Sequence, residues 1–351
     1  MTLVLAVEID GDGAHPAAWR RAAHPRAELV TPRRVRHVAE VAERAGFALV
    51  TLDDDLVTPG RIGSVERAGF IAAATSVLSV APVVSTTYTE PFHVSSQLAS
   101  VDHISAGRAG WVVAASPQPE VAAAWGRPAA DPAQEARDSV LVVRELWDSW
   151  EDDAVIRDVA TGRYLDRDRL HYIDHRAATY SVKGPAIVPR PPQGQLVVFA
   201  AHGLVPDAEL DVALVGGGNV DAVLAAAAKT TTPRTFVELE VALDTAAADG
   251  VDRVAELDAY APWVSRGHLR YTGSPEGLVT LLRNLAGRGG VDGVRLHPLV
   301  LDEDLAVLSQ YVIPALIAAR VASRPLPGHT LRQTLGLPRP SSRYATLGGA
   351  A

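Results

Sequence analysis

Three adjacent carboxylates follow a short apolar run in the first fifth of the chain. Asp53, Asp54 and Asp55 could bind a metal ion or take part in proton transfer, because neighbouring carboxylates repel one another and raise one pKa. The more ordinary explanation is a solvated acidic loop that caps a helix, and we favour it.

A histidine pair is a second candidate for metal chemistry. His171 and His175 have the four-residue spacing with which a helix presents two imidazoles to one metal ion. Asp174 and the surrounding arginines are typical of a charged loop, however, and the sequence offers no third ligand nearby. We therefore expect both histidines to have a structural role.

Several common catalytic sites are absent from the sequence. The chain has no cysteine, which excludes disulfides, thiolate nucleophiles and iron–sulfur clusters. Its two lysines, Lys183 and Lys229, lie outside apolar stretches that would lower their pKa, which disfavours Schiff-base chemistry. The G-x-S-x-G, H-E-x-x-H and P-loop patterns do not occur, and residues 216–218 lack the dinucleotide-binding spacing.

The composition is typical of a folded protein and disfavours nucleic acid and anionic membranes as partners. The 351 residues are 48% hydrophobic and 21% charged, and the formal charge of −8 disfavours binding to nucleic acid or to an anionic membrane. No apolar run approaches the length of a membrane span. The amino terminus lacks the pattern of a signal peptide, so we expect a cytoplasmic protein.

Short apolar runs alternate with segments of helical period, which is typical of parallel strands covered by helices. Eight such runs, most of them apolar on both faces, suit a closed TIM (β/α)8 barrel. The predicted strands are residues 3–8, 49–53, 78–84, 109–115, 196–201, 211–216, 236–241 and 293–296.

The boundaries of the barrel can also be predicted. We expect one domain over residues 1–323, and a charged insertion at about residues 151–195, outside the barrel wall between the fourth and fifth strands. Thr31 and Asp131 are N-cap residues that each precede a proline, and they predict helices over residues 32–45 and 132–150. The proline- and glycine-rich tail, residues 324–351, is expected to wrap over the barrel surface.

A TIM barrel places its reacting groups at the carboxyl ends of its strands. The residues that the sequence places there are Asp53 to Asp55, Ser85 to Glu90, Ser116, His202, Gly203 and His297.

Two long sequence motifs indicate a resemblance to a known protein family. Residues 85–93 (STTYTEPFH) and 98–111 (LASVDHISAGRAGW) closely resemble the flavin-dependent monooxygenases of the bacterial luciferase-like superfamily. The branch most similar to them includes the nitrilotriacetate and dibenzothiophene-sulfone monooxygenases. Further matches occur in order at His15 with 18–20, 146–151, 173–175, 184–185, 189–190, 193–194, 292–293, 330–332 and 335–340.

The resemblance implies a TIM barrel that binds reduced FMN from a separate flavin reductase and uses dioxygen to oxygenate a small organic substrate. It also implies a homodimer or a higher oligomer. The residues that it places against the flavin are Asp53, Ser85, Thr86, Ser116, His202 and Gly203. His15 and Trp19 are expected to contact substrate, although a tryptophan in that loop could equally be a packing residue.

Some positions depart from the family pattern and leave alternatives open. Residues 112–115 are apolar where the family carries polar groups, and residues 129–133 lack the phosphate donors of the family. Backbone N–H groups of Gly203 and Leu204 are possible substitutes. A second hypothesis is therefore a flavin-poor homologue that acts as a binding or partner subunit. A third is an enzyme that uses a deazaflavin, which the branch-specific motifs disfavour.

Overall fold

The computed structural model describes residues 2–54, 56, 60–126 and 131–345. Within these residues the main chain forms thirteen strands. They are β1 (Val4–Glu8), β2 (Leu49–Leu52), β3 (Ser79–Ser85), β4 (Gly110–Ala114), β5 (Val155–Asp158), β6 (Arg163–Leu165), β7 (His175–Arg176), β8 (Ser181–Val182), β9 (Val197–Ala201), β10 (Val212–Val215), β11 (Arg234–Leu243), β12 (Leu269–Gly273) and β13 (Gly293–Pro298).

Eight of the described strands close into a parallel barrel, which confirms the predicted TIM fold. Going round the wall, the order is β1, β2, β3, β4, β9, β10, β11 and β13, and β13 pairs with β1 to close it. All eight correspond to strands expected from the sequence. The sequence did not indicate β12, which pairs in parallel with the second half of β11.

Helices connect the strands on the outside of the barrel. Where the structure describes the chain, they are α1 (Pro32–Ala45), α2 (Ser64–Ala74), α3 (Pro91–Ile104), α4 (Pro119–Trp125), α5 (Pro132–Asp148), α6 (Val220–Ala227), α7 (Gly250–Asp258), α8 (Pro275–Arg288), α9 (Leu301–Val307), α10 (Ile313–Ala318) and α11 (Leu331–Thr334). None of these helices is both long and apolar enough to cross a membrane.

The helix boundaries have the expected local causes. Thr31 accepts a hydrogen bond from the backbone N–H of Arg34 at the start of α1, and Gly46 ends that helix with a φ of 105°. Asp131 caps α5 in the same way.

Apolar side chains fill the amino end of the barrel interior. Phe199 and Phe236 meet edge to face with ring centroids 5.9 Å apart. At the amino end of the barrel, α11 and the residues after it insert Leu331, Leu335 and Leu337 into this core. The tail therefore does more than wrap over the surface, because these leucines close the lower end of the barrel.

The segment between β4 and β9 contains two small antiparallel hairpins, β5–β6 and β7–β8. A separate apolar cluster joins them to α5, and Leu146, Trp150 and Ala186 are buried in it. The indole N–H of Trp150 donates to the carbonyl of Ala186 at 2.7 Å.

Candidate active site

A buried ion network occupies the carboxyl end of the barrel interior. Arg295 of β13 donates to Glu238 Oε1 of β11 at 3.0 Å, to Glu8 Oε2 of β1 at 2.5 Å and to Thr51 Oγ1 of β2 at 2.8 Å. Every second side chain of a barrel strand points into the barrel interior. These inward positions carry apolar residues in the amino half of the strands and polar residues at the barrel mouth. The guanidinium thus ties together the ends of four strands.

Burial and neighbouring charges shift the pKa values of the acidic and imidazole groups in this network. Burial alone would raise the pKa of Glu238, but Arg295 and then His297 hold that pKa well below its usual range. His297 Nε2 lies 2.5 Å from Glu238 Oε2, and burial lowers the pKa of His297 below its usual range, although Glu238 opposes that shift. The network therefore pairs two glutamates with one arginine.

The three predicted acids after β2 separate in the structure. Asp53 lies at the barrel mouth, where burial and then the charge of Glu8 raise its pKa to about 6. Asp54 instead accepts hydrogen bonds from the N–H and the hydroxyl of Ser64, both at 3.2 Å, at the start of α2. Asp55 lies outside the described residues. Asp54 therefore binds the first residue of α2, whereas Asp53 is available for chemistry.

Hydroxyl groups gather at the ends of β3 and β4. Ser116 Oγ donates to Ser85 Oγ at 2.9 Å, and the Ser116 N–H donates to Thr87 Oγ1 at 3.0 Å. Thr86 Oγ1 donates to the carbonyl of Ala114 at 3.0 Å. The structure thus brings Ser85, Thr86 and Ser116 together, as the sequence suggested, and adds Thr87 to the group.

His202 and Gly203 follow β9 and are both exposed. His202 Nδ1 lies 3.4 Å from Asp207, a carboxylate that also accepts from the N–H and the hydroxyl of Thr231. The N–H of Leu204 donates to the carbonyl of Ala201 at 3.0 Å, so it is not free to bind an anion as the sequence had suggested. Gly203 has a φ of 90° and open space around its Cα.

A loop at residues 261–268, before β12, covers part of the barrel mouth. Gly216, after β10, leaves no room for a Cβ because the backbone of Gly267 lies against it. His268 stacks on His297 with ring centroids 4.8 Å apart. The same loop also carries Trp263, so it extends from the end of β10 to the cavity described next.

A cavity of about 1100 Å³ opens beside the ends of β1 and β2. Both residues expected to contact substrate, His15 and Trp19, line it, together with Leu52 and Trp263. Trp19 is 59% exposed at its rim. None of the residues expected to contact the flavin lines it. The structure therefore separates the two predicted groups, with the cavity on the β1–β2 side and the hydroxyl cluster at β3 and β4.

His15 is held too firmly to be a free hydrogen-bonding partner. Its Nδ1 accepts the N–H of Ala17 at 3.0 Å, which leaves Nε2 to donate to Asp258 at 3.1 Å. Its ring lies 5.9 Å from that of Trp263. His15 thus fixes the loop after β1 to α7 and presents only its ring surface to the cavity.

Two histidine groups could be considered for metal binding. Glu238, His268 and His297 offer ligand atoms within 4.8 Å of one another. Glu238 is already bound by Arg295, whose positive charge opposes a cation there. His171 and His175 pair with different glutamates, Glu151 and Glu145, each at 2.8 Å. Their structural role is therefore to hold the insertion.

The sequence named His297 but missed its partners. The sequence predicts a strand over residues 236–241 but assigns no role to Glu238 and Glu240, which occupy alternate positions in it. That alternation at the carboxyl half of a barrel strand is the signal that could have revealed an inward acidic pair. The arginine that balances it lies 57 residues further along the chain.

The donors at the barrel mouth can be compared with the needs of a flavin. The clustered hydroxyls of Ser85 and Ser116 suit its polar ring edge and ribityl chain. His202 and the Gly203 N–H are suitable donors to an anionic phosphate. The carboxylate of Asp207 beside His202 repels such an anion and weakens phosphate binding there. The residues present therefore fit a flavin. Ala129 and Ala130, where the family pattern carries phosphate donors, lie outside the described residues.

Sequence comparison identifies the family. The profile of the luciferase-like monooxygenase family matches residues 13–216, which is more than half of the chain. N-acetyl-S-(2-succino)cysteine monooxygenase of Bacillus subtilis (strain 168) is 28% identical over 432 aligned positions, which cover 97% of this chain and 98% of that protein. Dibenzothiophene-sulfone monooxygenase of Rhodococcus erythropolis is 32% identical over 54% of this chain and 46% of its own length.

Structure comparison confirms the fold. The crystal structure of riboflavin lyase with modified FMN and riboflavin superposes with a TM-score of 0.81 over 98% of each chain, at 22% identity. The resemblance to the branch that includes the dibenzothiophene-sulfone and nitrilotriacetate monooxygenases is also confirmed. This chain belongs to the luciferase-like monooxygenase family.

Proposed function

We propose that this protein is a flavin-dependent monooxygenase that uses reduced FMN and dioxygen to oxygenate a small organic substrate. The observation that carries the proposal is that a barrel of this family holds, at the carboxyl ends of neighbouring strands, a large cavity beside β1 and β2 and a largely buried hydroxyl cluster at β3 and β4. The cavity has room for a substrate beside a cofactor held at the neighbouring strand ends.

The proposed cofactor contacts follow from the donors at the mouth. Ser85, Thr86 and Ser116 would hold the polar ring and the ribityl chain, and His202 with the Gly203 N–H would meet the phosphate. The bound reduced flavin supplies the electrons and the site at which dioxygen is activated. A separate flavin reductase would deliver it, since the two-component relatives suggest such a partner.

The chain itself has three tasks in this proposal. The loop at 261–268, which lies against Gly216 and His297, would exclude water from the mouth and so limit side reactions there. The network around Arg295 gives the site a rigid floor. Asp53, with a pKa raised to about 6 chiefly by burial, can hold a proton at its carboxyl group and exchange it near neutral pH.

A coupled reaction tests this function. Purified protein is mixed with an FMN reductase, NADH, FMN and isotopically labelled dioxygen, and candidate substrates are examined by mass spectrometry. A product that contains one labelled oxygen atom is the expected result. A matched reaction without the protein controls for oxidation by free reduced flavin. If no candidate incorporates label and the protein binds no reduced flavin, a partner-subunit role replaces this proposal.

The comparisons give the partner-subunit and deazaflavin hypotheses no better support than the oxygenase. Assembly as a homodimer or a higher oligomer and a location in the cytoplasm also remain proposals. Size-exclusion chromatography with light scattering would test the first of these.

A further inference from the structure

The wall of the cavity is rich in guanidinium groups. Its described lining contains five arginines and two aspartates. The arginines are Arg26, Arg34, Arg61, Arg67 and Arg266, and the aspartates are Asp10 and Asp12. An anion that enters the cavity therefore meets an excess of positive charge, in surroundings that screen it less than bulk water does.

The two acids do not cancel this excess. Asp10 is shared between two arginines: Oδ2 lies 2.8 Å from Arg61 Nη1, and Oδ1 accepts from Arg67. Asp12 lies 3.1 Å from His24. Arg67 also donates to the backbone carbonyl of Asp53 at 2.6 Å, which connects the wall of the cavity to the barrel mouth.

Arg34 has a donor that the protein leaves unused. Its side chain is only 10% exposed, and Nη1 pairs with Asp302 at 2.6 Å. Nη2 is buried and has no hydrogen-bond partner among the described residues. A buried donor without a partner is costly, so an acceptor bound beside Arg34 would relieve that cost. Among the described residues, neither Arg26 nor Arg266 forms an ion pair.

Apart from His15, the rest of the lining is apolar side chains and glycine. Ile9, Val38, Leu52, Trp263 and Leu301 contribute buried side chains to the cavity. Such a surface favours a ligand with a hydrocarbon or aromatic body. The cavity thus combines an apolar wall with a cationic one.

We propose that this cavity binds the substrate of the proposed monooxygenase, and that the substrate is an organic carboxylate with an apolar body. Arg34 binds the carboxylate, and Arg26 and Arg266 add charge at the rim. This inference rests on the proposed function for the identity of the ligand as substrate. A carboxylate fits better than a phosphate because Asp10 and Asp302 already engage three of the arginines, which leaves donors for one small anionic group.

Matched acids and neutral analogues test the charge requirement. Flavin-free, full-length protein is titrated by calorimetry with two monocarboxylates that have apolar bodies and with their neutral amides: phenylbutyrate with phenylbutyramide, and octanoate with octanamide. In at least one pair the acid is expected to bind about tenfold or more tightly than its neutral analogue. If neither acid binds more tightly than its analogue, the inference is overturned.

Two arginine variants then locate the site. Arg34→Gln should weaken binding of the acid by about ten- to one hundredfold, the loss that a charge-assisted hydrogen bond carries. The neighbouring Arg33, which is 79% exposed and pairs with Glu28, provides the control, and Arg33→Gln should bind like the wild type. The double variant R26Q/R266Q removes exposed side chains without disturbing the core, and should weaken binding about two- to fivefold.

The outcomes separate this inference from the proposed function. Arg34→Gln should still bind reduced FMN as the wild type does, and its thermal unfolding shows whether it is folded. Acid binding that is lost in Arg34→Gln but retained in Arg33→Gln supports the site. Acid binding that is equal in the wild type, Arg34→Gln and R26Q/R266Q overturns it. Selective acid binding in a protein that binds no flavin would retain the anion site and contradict the proposed function.

Discussion

Replacing Arg295 with methionine should destabilise the protein strongly, because the change leaves two glutamates buried without a counter-charge. The Arg295 side chain is only 9% exposed, and its guanidinium is hydrogen bonded to Glu8, Glu238 and Thr51. Methionine has a similar length and fills much of the same space, so the effect isolates the loss of charge and hydrogen bonds from the loss of volume.

The expected magnitude follows from the cost of an unpaired buried charge. Removing one partner of a buried ion pair costs about 3–5 kcal/mol. The two glutamates of the variant can instead become protonated and neutral. Protonating each one costs about 1.4 kcal/mol for every pH unit by which the solution lies above the ordinary pKa of about 4.3. At pH 5 the loss in free energy of unfolding should therefore fall to about 1–2 kcal/mol.

Stability depends on pH with opposite sign in the wild type and in the Arg295→Met variant. In the wild type, Arg295 holds the pKa values of Glu8 and Glu238 low, so this stabilisation is present above the unfolded pKa and is lost on acidification. In the variant the same pKa values are raised by burial, so stability is highest at low pH and falls as the pH rises. The two stability curves should approach each other towards pH 5.

Urea unfolding followed by tryptophan fluorescence measures both quantities, since Trp111 and Trp147 are buried in the core. Arg288→Met is the matched control, because Arg288 is 52% exposed and its loss should change stability by less than about 0.5 kcal/mol. The triple variant R295M/E8Q/E238Q should recover most of the loss. A cost below about 1 kcal/mol at pH 7, or one that does not change with pH, would refute the reasoning.

Three further substitutions test other parts of the structure. Asp53→Asn should stabilise the protein at pH 8 by at most about 3 kcal/mol and have little effect below pH 4, as measured by urea unfolding, because burial penalises the ionised carboxylate. Leu331→Ala should cost about 2–4 kcal/mol in thermal unfolding, because that side chain closes the barrel. Asp207→Asn should strengthen FMN binding relative to riboflavin in a fluorescence titration, because a carboxylate beside His202 repels the phosphate.

Each of these three predictions has a contradicting result. For Asp53 it is a variant that is less stable than the wild type at pH 8. For Leu331 it is an unchanged melting temperature, which would mean that the tail does not contribute to the core. For Asp207 it is an unchanged ratio of FMN to riboflavin affinity, which would place the phosphate away from His202.

The fold could be predicted because its strands are buried on both faces. Residues 212–215 are all apolar and residues 49–52 are interrupted only by Thr51, and the structure buries every residue of β2 and β10. No such signal marks β12, whose residues after Leu269 are polar or partly exposed. A strand that lies at the rim, next to one half of β11, lacks the pattern of a barrel strand.

Parts of the site could be predicted from strand ends, and others could not. Ser85 and Ser116 end neighbouring strands, so their contact follows from the topology. The network around Arg295 depends on the register of four strands that are distant in sequence, which periodicity alone does not provide. His15 was expected to contact substrate, yet its ring nitrogens are occupied by Asp258 and Ala17, partners that only the folded chain brings close.

Binding of reduced FMN tests the central claim most directly. Under anaerobic conditions the protein is titrated with reduced FMN, and the double variant S85A/S116A is titrated alongside it. We expect saturable binding of one FMN per chain by the wild type, and clearly weaker binding by the variant. Absence of binding by the wild type at high micromolar flavin would contradict a flavin-dependent monooxygenase, and equal binding by both proteins would move the flavin away from the ends of β3 and β4.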